Sequence, residues 1–335
     1  MTLMNILVAM ADNSIRSTFI PPEVEKKIEL LGNVSWNTTS NALSAEELKL
    51  RIKDSDVCIT GWGCKCFDRN VLEGNQSLRL IAHTGGSVAR IVSDYLYEKG
   101  IRVISGNKLY SESVAEGVIA YMLASLRDIS FYSNEMQSGD WQKNADYNEG
   151  LLEQNIGLVG FGAVARSLVK MLKVFRVKVK VYDPYVTEQT CIEYGVTHAE
   201  SIEEIFTTSK LISMHAPEVP ETYHMIDKEL IAKIPDGTVF INTARGGIVD
   251  ENALSEELQK GRFKAVLDVY EVEPLPEDSK LRGLKNVILM PHMAGPTVDR
   301  RKNVMLEILE DIERFFDGQQ LQNEISKEYA MMMTR

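Results

Sequence analysis

The chain has 335 residues, 44% hydrophobic and 25% charged, enough to bury a sizeable core and to form two domains of ordinary size. Its 37 basic residues against 48 acidic ones leave a net charge of −11 with no basic run, which disfavours a nucleic-acid or anionic-membrane partner. No segment approaches the roughly 18 uninterrupted apolar residues of a membrane span, and "MTLMNILVAMADN" has no basic leader region, so a cytoplasmic location is expected.

In chain order, strands are expected at "NILVAM" from Asn5, briefly near Val34, and at "DVCIT" from Asp56, "LRLIAH" from Leu78 and "IRVIS" from Ile101. Cys64 and Cys66 supply half a metal site at most, with Cys58 and Cys191 elsewhere. Reduced thiols and no metal are therefore expected. A long helical stretch from about Ser113 to Gln137 then separates this set from a second one. The second set is "NIGLVG" from Asn155, "VKVKVYD" from Val177, "LISMH" from Leu211, "GTVFIN" from Gly237, "FKAVLDV" from Phe263 and "NVILMP" from Asn286. Ser44-Ala-Glu-Glu47 and Ser201-Ile-Glu-Glu204 fit the capping box, and Gly261 marks a helix stop. Strand–helix alternation with short connections predicts an α/β protein of two doubly wound parallel sheets. A last helix, from about Thr297 to Phe316, can return the chain to the first domain. The expected division is a discontinuous domain of 1–112 and 297–335, with a contiguous domain of 113–296 inserted in it.

"NIGLVGFGAVAR" reads as a buried strand, a tight turn and the start of a helix. Gly160 permits the turn, Gly162 lets the backbone approach a pyrophosphate, and Ala165 is small enough for helix–strand packing. The helix N-terminus offers N–H groups to phosphates. The next expected strand ends in Asp183, 21 residues after Gly162, where a carboxylate can bind both ribose hydroxyls. No Arg or Lys lies between Pro184 and Thr187 to balance a 2′-phosphate, so NAD is favoured over NADP.

Three later stretches each follow an expected strand: "INTARGGIVDENAL" with Arg245, "LDVYEVEPLP" with Asp268 and Glu273, and "LMPHMAGPT" with His292. In an open parallel sheet, ligands bind outside the carboxyl ends of the strands, so these residues can meet in one crevice. Together with "VAEGVIAYMLASLR" and "HAPEVPETYHMID", the ordered motifs resemble the D-isomer-specific 2-hydroxyacid dehydrogenase family, strongly from about Ser113 to Thr297 and more weakly before residue 100.

The resemblance implies a flavodoxin-like substrate domain and a Rossmann NAD-binding domain, a homodimer joined through the latter, and an NAD-dependent oxidoreductase interconverting a D-2-hydroxy acid and a 2-keto acid. Arg245, Glu273 and His292 become the catalytic set. An imidazolium can protonate the carbonyl oxygen as hydride arrives, a neighbouring carboxylate favours the charged ring and orients it, and a guanidinium fork can hold the substrate carboxylate or carbonyl. The resemblance assigns Ala163 and Val164 to the pyrophosphate turn. It places Ala216, Pro217, Thr222, Thr243 and Ala244 along the cofactor and Asp268 on the nicotinamide carboxamide. His215 is expected to be a wall residue, and His198 and His224 have no motif support.

The family's glycine-rich loop after the fourth strand appears here as "AHTGGSVARIVSD". Gly85 and Gly86 keep bare N–H groups for a carboxylate, but His83 stands for the usual first glycine and Ser87-Val88 for the usual Asp-Asn. In "TGWGCKCFD", Trp62 is either a lid aromatic stacking on the substrate tail or a partly buried loop residue. His83 and Trp62 are thus expected to shape the substrate pocket. Two other readings stay open: a phosphoglycerate- or formate-type dehydrogenase of the same fold, and a non-enzymatic NAD(H)-responsive binding protein. A formate-type enzyme would carry Gln at the position of Glu273.

Overall fold

A computed structural model describes residues 4–139, 141 and 148–334. The chain divides into two compact units, Met1–Tyr110 with Pro296–Arg335, and Ser111–Gly295. The dividing points fall at 110/111 and 295/296, against the expected 112/113 and 296/297.

The first unit contains β1 (Met4–Val8), β2 (Gly32–Trp36), β3 (Val57–Thr60), β4 (Leu80–His83) and β5 (Arg102–Ser105). All pair in parallel in the order β2-β1-β3-β4-β5, the flavodoxin-like arrangement. Helices cover both faces, so β3 and β4 are buried throughout and read as continuous apolar runs. One face packs Ile6, Val8, Ile59 and Ile104 against Val304, Ile308 and Ile312 of the helix Val298–Phe316. The other packs Leu7, Cys58, Ile81 and Val103 against Leu48, Ile52, Phe67 and Leu96. Ser44 closes its helix with a full capping box: its hydroxyl accepts from the Glu47 N–H, and the Glu47 carboxylate accepts from the Ser44 N–H at 2.8 Å.

The second unit contains β6 (Asn155–Val159), β7 (Lys178–Tyr182), β8 (Thr197–His198), β9 (Leu211–Met214), β10 (Val239–Asn242), β11 (Lys264–Leu267) and β12 (Val287–Leu289). The parallel order is β12-β11-β10-β9-β6-β7-β8, a Rossmann arrangement with one further strand beyond β11. Strand order reverses between β6 and β9, which opens a crevice at their carboxyl ends. Ser201 caps its helix, but Glu204 bonds to the Glu200 N–H instead of completing the box, and its other oxygen holds Lys180.

The expected single helix from Ser113 is two helices, Asn107–Leu126 and Ile129–Gln137. They break at Asp128, which is left-handed (φ +50°) and holds the Lys264 ammonium at 2.6 Å with both carboxylate oxygens. Among the described residues, no helix is long and apolar enough to cross a membrane, and no group of three or more His, Cys, Asp or Glu could hold a metal ion.

Candidate active site

At the end of β6, Gly160 has φ +93°. A Cβ there would lie 2.6 Å from the backbone nitrogen of Ala216, so both handedness and the close approach of the β9 loop require glycine. A Cβ on Gly162 would meet nothing within 4 Å, which leaves room for a phosphate. Gly162 is also the N-cap of the helix Ala163–Leu172 and makes no side-chain cap bond, so first-turn N–H groups, those of Ala163 and Val164 among them, stay available. Ala165 is fully buried under that helix.

Asp183 directly follows β7. One of its oxygens accepts from the Phe161 N–H at 2.7 Å and the other from the Tyr185 N–H at 2.8 Å. The carboxylate is thereby pinned beside the glycine turn with lone pairs left for ribose hydroxyls. Ala216 and Pro217 follow β9. Thr222 closes their loop on itself, its hydroxyl donating to Pro217 O at 2.6 Å and accepting from the Val219 N–H at 2.9 Å. After β10 the Ala244 N–H bonds to Asn242, while the buried Thr243 hydroxyl has no partner, an orphaned group at the mouth of the crevice. The bare Gly162 surface, the pinned Asp183 and the orphaned Thr243 hydroxyl fit a dinucleotide. His215 is half-buried against Ser213, at 2.9 Å, and desolvation lowers its pKa to about 4, which keeps it a neutral wall residue.

The three strands β10, β11 and β12 are sheet neighbours. Arg245 lies just past the first, Asp268 and Glu273 past the second, and His292 past the third. Glu273 and His292 meet: the carboxylate Oε2 lies 2.7 Å from the imidazole Nδ1. The other Glu273 oxygen accepts from the Tyr270 N–H at 3.2 Å, which fixes the carboxylate plane. The Tyr270 hydroxyl lies 3.0 Å from Leu267 O and 2.9 Å from Met290 O, tying the ends of β11 and β12 together. A cavity of about 540 Å³ opens beside the pair, lined by Tyr270, Glu273, Pro274, Leu275, Met290 and His292 among others.

His292 itself is left-handed at φ +50°, a conformation that needs support from its surroundings. Asp268 gives that support. It is 1% exposed and accepts from the Met293 and Ala294 N–H groups, both at 2.9 Å, and from the Tyr121 hydroxyl at 3.2 Å. Sequence reasoning gave Asp268 only a carboxamide contact and missed this anchoring of the histidine turn. Arg245 is half-buried, with Nη1 donating to Ala244 O at 2.6 Å. The structure also forms a second, unforeseen pair, His224 Nε2 with Glu271 at 2.8 Å, with the ring stacked on Tyr223.

In the first unit, the loop after β4 carries Gly85 and Gly86. Their carbonyls are bonded to the Gly106 N–H and the Ser105 hydroxyl. His83 does not line this loop as expected. It is 4% exposed, its Nδ1 lies 2.9 Å from the Thr60 hydroxyl, and a Cβ on Gly85 would sit 2.3 Å from its Nε2. The imidazole is therefore a support beneath Gly85, not a surface offered to a ligand. Trp62 is 50% exposed and packs edge-on against Phe19 and Tyr110.

Burial lowers the His83 pKa to about 4, as it does that of His215. The unfolded ring, with pKa near 6.5, binds a proton first as pH falls, so this stability is complete above about pH 6.5 and is lost toward pH 4. Each histidine is expected to cost about 2 kcal/mol of stability at pH 5. Urea unfolding at pH 7.5 and pH 5.0 checks this, with His83→Asn expected to lose less between the two pH values than the parent. An equal loss would clear His83 of the effect.

Fold and site together describe an NAD-binding α/β protein with a His–Glu pair at the carboxyl edge of its sheet. Residues 119–294, more than half of the chain, match the family model described as D-isomer specific 2-hydroxyacid dehydrogenase, NAD binding domain. The chain belongs to the D-isomer-specific 2-hydroxyacid dehydrogenase family.

Relatives include a D-3-phosphoglycerate dehydrogenase of Methanocaldococcus jannaschii, 33% identical over 91% of this chain and 58% of that protein. A hydroxypyruvate reductase of Thermotoga maritima is 34% identical over 87% of this chain and 95% of its own length. The chain thus spans little more than half of the first of these relatives and nearly all of the second. Among solved structures, an acyclic imino acid reductase in complex with NADPH and D-Arg superposes with a TM-score of 0.80 at 24% identity, covering 96% of this chain and all of that one. A D-lactate dehydrogenase from Treponema pallidum gives 0.74 at 22% identity, again over 96% of this chain and all of its own. At these identities the likeness is one of fold.

Proposed function

We propose that the chain is an NAD-dependent dehydrogenase that interconverts a D-2-hydroxy acid and its 2-keto acid. The observation that carries this reading is the 2.7 Å contact between Glu273 and His292 Nδ1. It leaves Nε2 as the ring nitrogen free to exchange a proton with substrate. NADH, when bound, supplies the hydride that reduces the keto carbon. His292 gives its Nε2 proton to the carbonyl oxygen as negative charge builds there, and the neutral ring takes it back in the oxidative direction. Glu273 fixes the ring orientation through its contact with Nδ1. Arg245 presents its guanidinium to the substrate carboxylate or carbonyl. Gly160, Gly162, Ala163 and Val164 would cradle the pyrophosphate, Asp183 the ribose, and Thr243 and Ala244 the nicotinamide side, with Ala216 and Pro217 as the opposite wall. Gly85, Gly86 and Trp62 belong to the substrate side of the same reading.

A homodimer joined through the nucleotide-binding unit also belongs to this proposal. The exposed Ile129, Phe131, Met136 and Trp141 and the half-buried edge strand β12 supply apolar surface for it.

The test is NADH oxidation across 2-keto acids running from glyoxylate, pyruvate and hydroxypyruvate to branched, aromatic and phosphorylated ones. Turnover on one group supports the dehydrogenase. NADH binding without turnover on any of them favours the NAD(H)-responsive binding protein. The likeness to phosphoglycerate dehydrogenases gives one substrate alternative its place in the panel, 3-phosphohydroxypyruvate.

Asp183→Ala is expected to relax the preference for NADH over NADPH by removing the carboxylate that repels a 2′-phosphate, with the fold retained but the melting temperature lowered, because the Phe161 and Tyr185 N–H groups lose their acceptor. The ratio of kcat/KM for the two cofactors reads this directly, and an unchanged ratio removes Asp183 from the ribose site.

A further inference from the structure

Arg301 lies in the first turn of the helix Val298–Phe316 and is held in an unusual way. Its guanidinium sits over the Trp62 ring at 5.4 Å and the Phe19 ring at 5.8 Å. Its Nε donates to Pro296 O at 3.2 Å and its Nη1 to the Thr18 hydroxyl at 3.3 Å. Among the described residues no carboxylate pairs with it, although the chain carries an excess of 11 negative charges. Its Nη2 makes no hydrogen bond to a described residue.

Beside it stands Tyr110, packed edge-on against Trp62 with ring centroids 6.4 Å apart. The Tyr110 hydroxyl is buried without a hydrogen-bond partner, close enough to feel the Arg301 charge. Tyr110 also touches the glycine loop: a Cβ on Gly86 would sit 3.3 Å from its ring. Tyr110, Trp62 and Arg301 therefore form one contiguous cluster beside Gly86, with an unpaired cation, an indole wall and, behind them, a buried tyrosine hydroxyl. A guanidinium packed against aromatic rings keeps edge donors for a planar or tetrahedral anion.

We propose that Arg301, with Trp62 and the Tyr110 hydroxyl, is a specificity site for the tail of the substrate, and that it selects 2-keto acids whose far end carries a second anionic group, carboxylate or phosphate. This rests on the dehydrogenase reading and extends it to a substrate class. Arg301 is a specificity-determining residue and takes no part in proton or hydride transfer.

The experiment compares oxaloacetate and 3-phosphohydroxypyruvate with 2-ketobutyrate and hydroxypyruvate, using NADH and the full chain as parent, Arg301→Met and Arg301→Lys. The parent is expected to favour at least one anionic-tail substrate by tenfold or more in kcat/KM. Arg301→Met should lower that value 10- to 100-fold, mainly through KM, and change the neutral-tail substrates less than threefold. Arg301→Lys should recover part of the loss. Preference for oxaloacetate or for 3-phosphohydroxypyruvate tells carboxylate from phosphate. An equal fall on both substrate types, or no preference in the parent, overturns the proposal and leaves Arg301 as a clip between Thr18 and Pro296.

A calorimetric arm keeps the two readings separable. D-malate and D-3-phosphoglycerate are titrated against D-lactate with parent and Arg301→Met in the presence of NADH. Absent turnover on every keto acid sinks the dehydrogenase reading. In that case, tighter binding of an anionic-tail acid that Arg301→Met abolishes still upholds the site, and binding that ignores the substitution overturns it.

Discussion

Replacing His292 by alanine is expected to lower kcat for 2-keto acid reduction by roughly 10²–10⁴-fold, the usual worth of a positioned general acid. Glu273 occupies Nδ1, so in the proposed mechanism Nε2 is the nitrogen that would deliver the proton, and no other described imidazole is placed after β10, β11 or β12. His215 is held neutral by desolvation and bonded to Ser213, and His224 is turned to Glu271, so neither replaces it. The loss should fall on kcat with NADH affinity unchanged, because the ring lies outside the pyrophosphate and ribose contacts. Steady-state kinetics with a separate fluorescence titration of NADH checks both halves. A fall of less than tenfold removes His292 from the acid role.

The second large effect is expected at a residue with no chemistry of its own. A Cβ on Gly246 would sit 1.9 Å from the backbone carbon of Tyr270 and 2.3 Å from the Glu271 nitrogen. Backbone cannot rotate away as a side chain can, so Gly246→Ala must push the segment that leads to Glu273. The cost is about 3 kcal/mol of stability, at the upper end for overpacking. Activity should fall as well, because the carboxylate that holds His292 moves with that segment. Urea unfolding and kcat measured on the same preparation test the pair of effects. A destabilisation below about 1 kcal/mol would show that the turn yields easily, and the claimed rigidity would be wrong.

The central strands were legible because a parallel strand covered on both faces has to be apolar at most positions, as in "VCIT" of β3 and "LISM" of β9. β8 was not, since Thr197 and His198 are both exposed and carry no such run. The helix break at Asp128 depends on Lys264, more than a hundred residues away, and local periodicity has no access to that partner. The Glu273 and His292 motifs could be read in order along the chain, though their contact is a fact of strand neighbourhood. His83 misled for a physical reason: a histidine at the end of a strand looks available, and only the Thr60 hydroxyl and the overlying Gly85 reveal that it is sealed in. Arg301 went unnoticed because its significance lies in a missing counter-charge, which sequence spacing does not record.

The discontinuous first unit has a consequence for how the protein is made. The face of its sheet formed by Ile6, Val8, Ile59 and Ile104 is covered by Val304, Ile308 and Ile312. Residues 106–297 are translated between the last strand of that sheet and the helix that covers it. At bacterial-type elongation rates this interval is on the order of 10–40 seconds, long compared with the collapse of a chain this size. The nascent sheet therefore emerges with this apolar face only partly covered, by Phe19, Val24 and Ile28, and waits for a helix not yet synthesised, whereas the second unit is contiguous and can close as soon as β12 leaves the ribosome. The helix that completes this sheet thus arrives long after its strands, and until it does the chain exposes part of an apolar face open to aggregation.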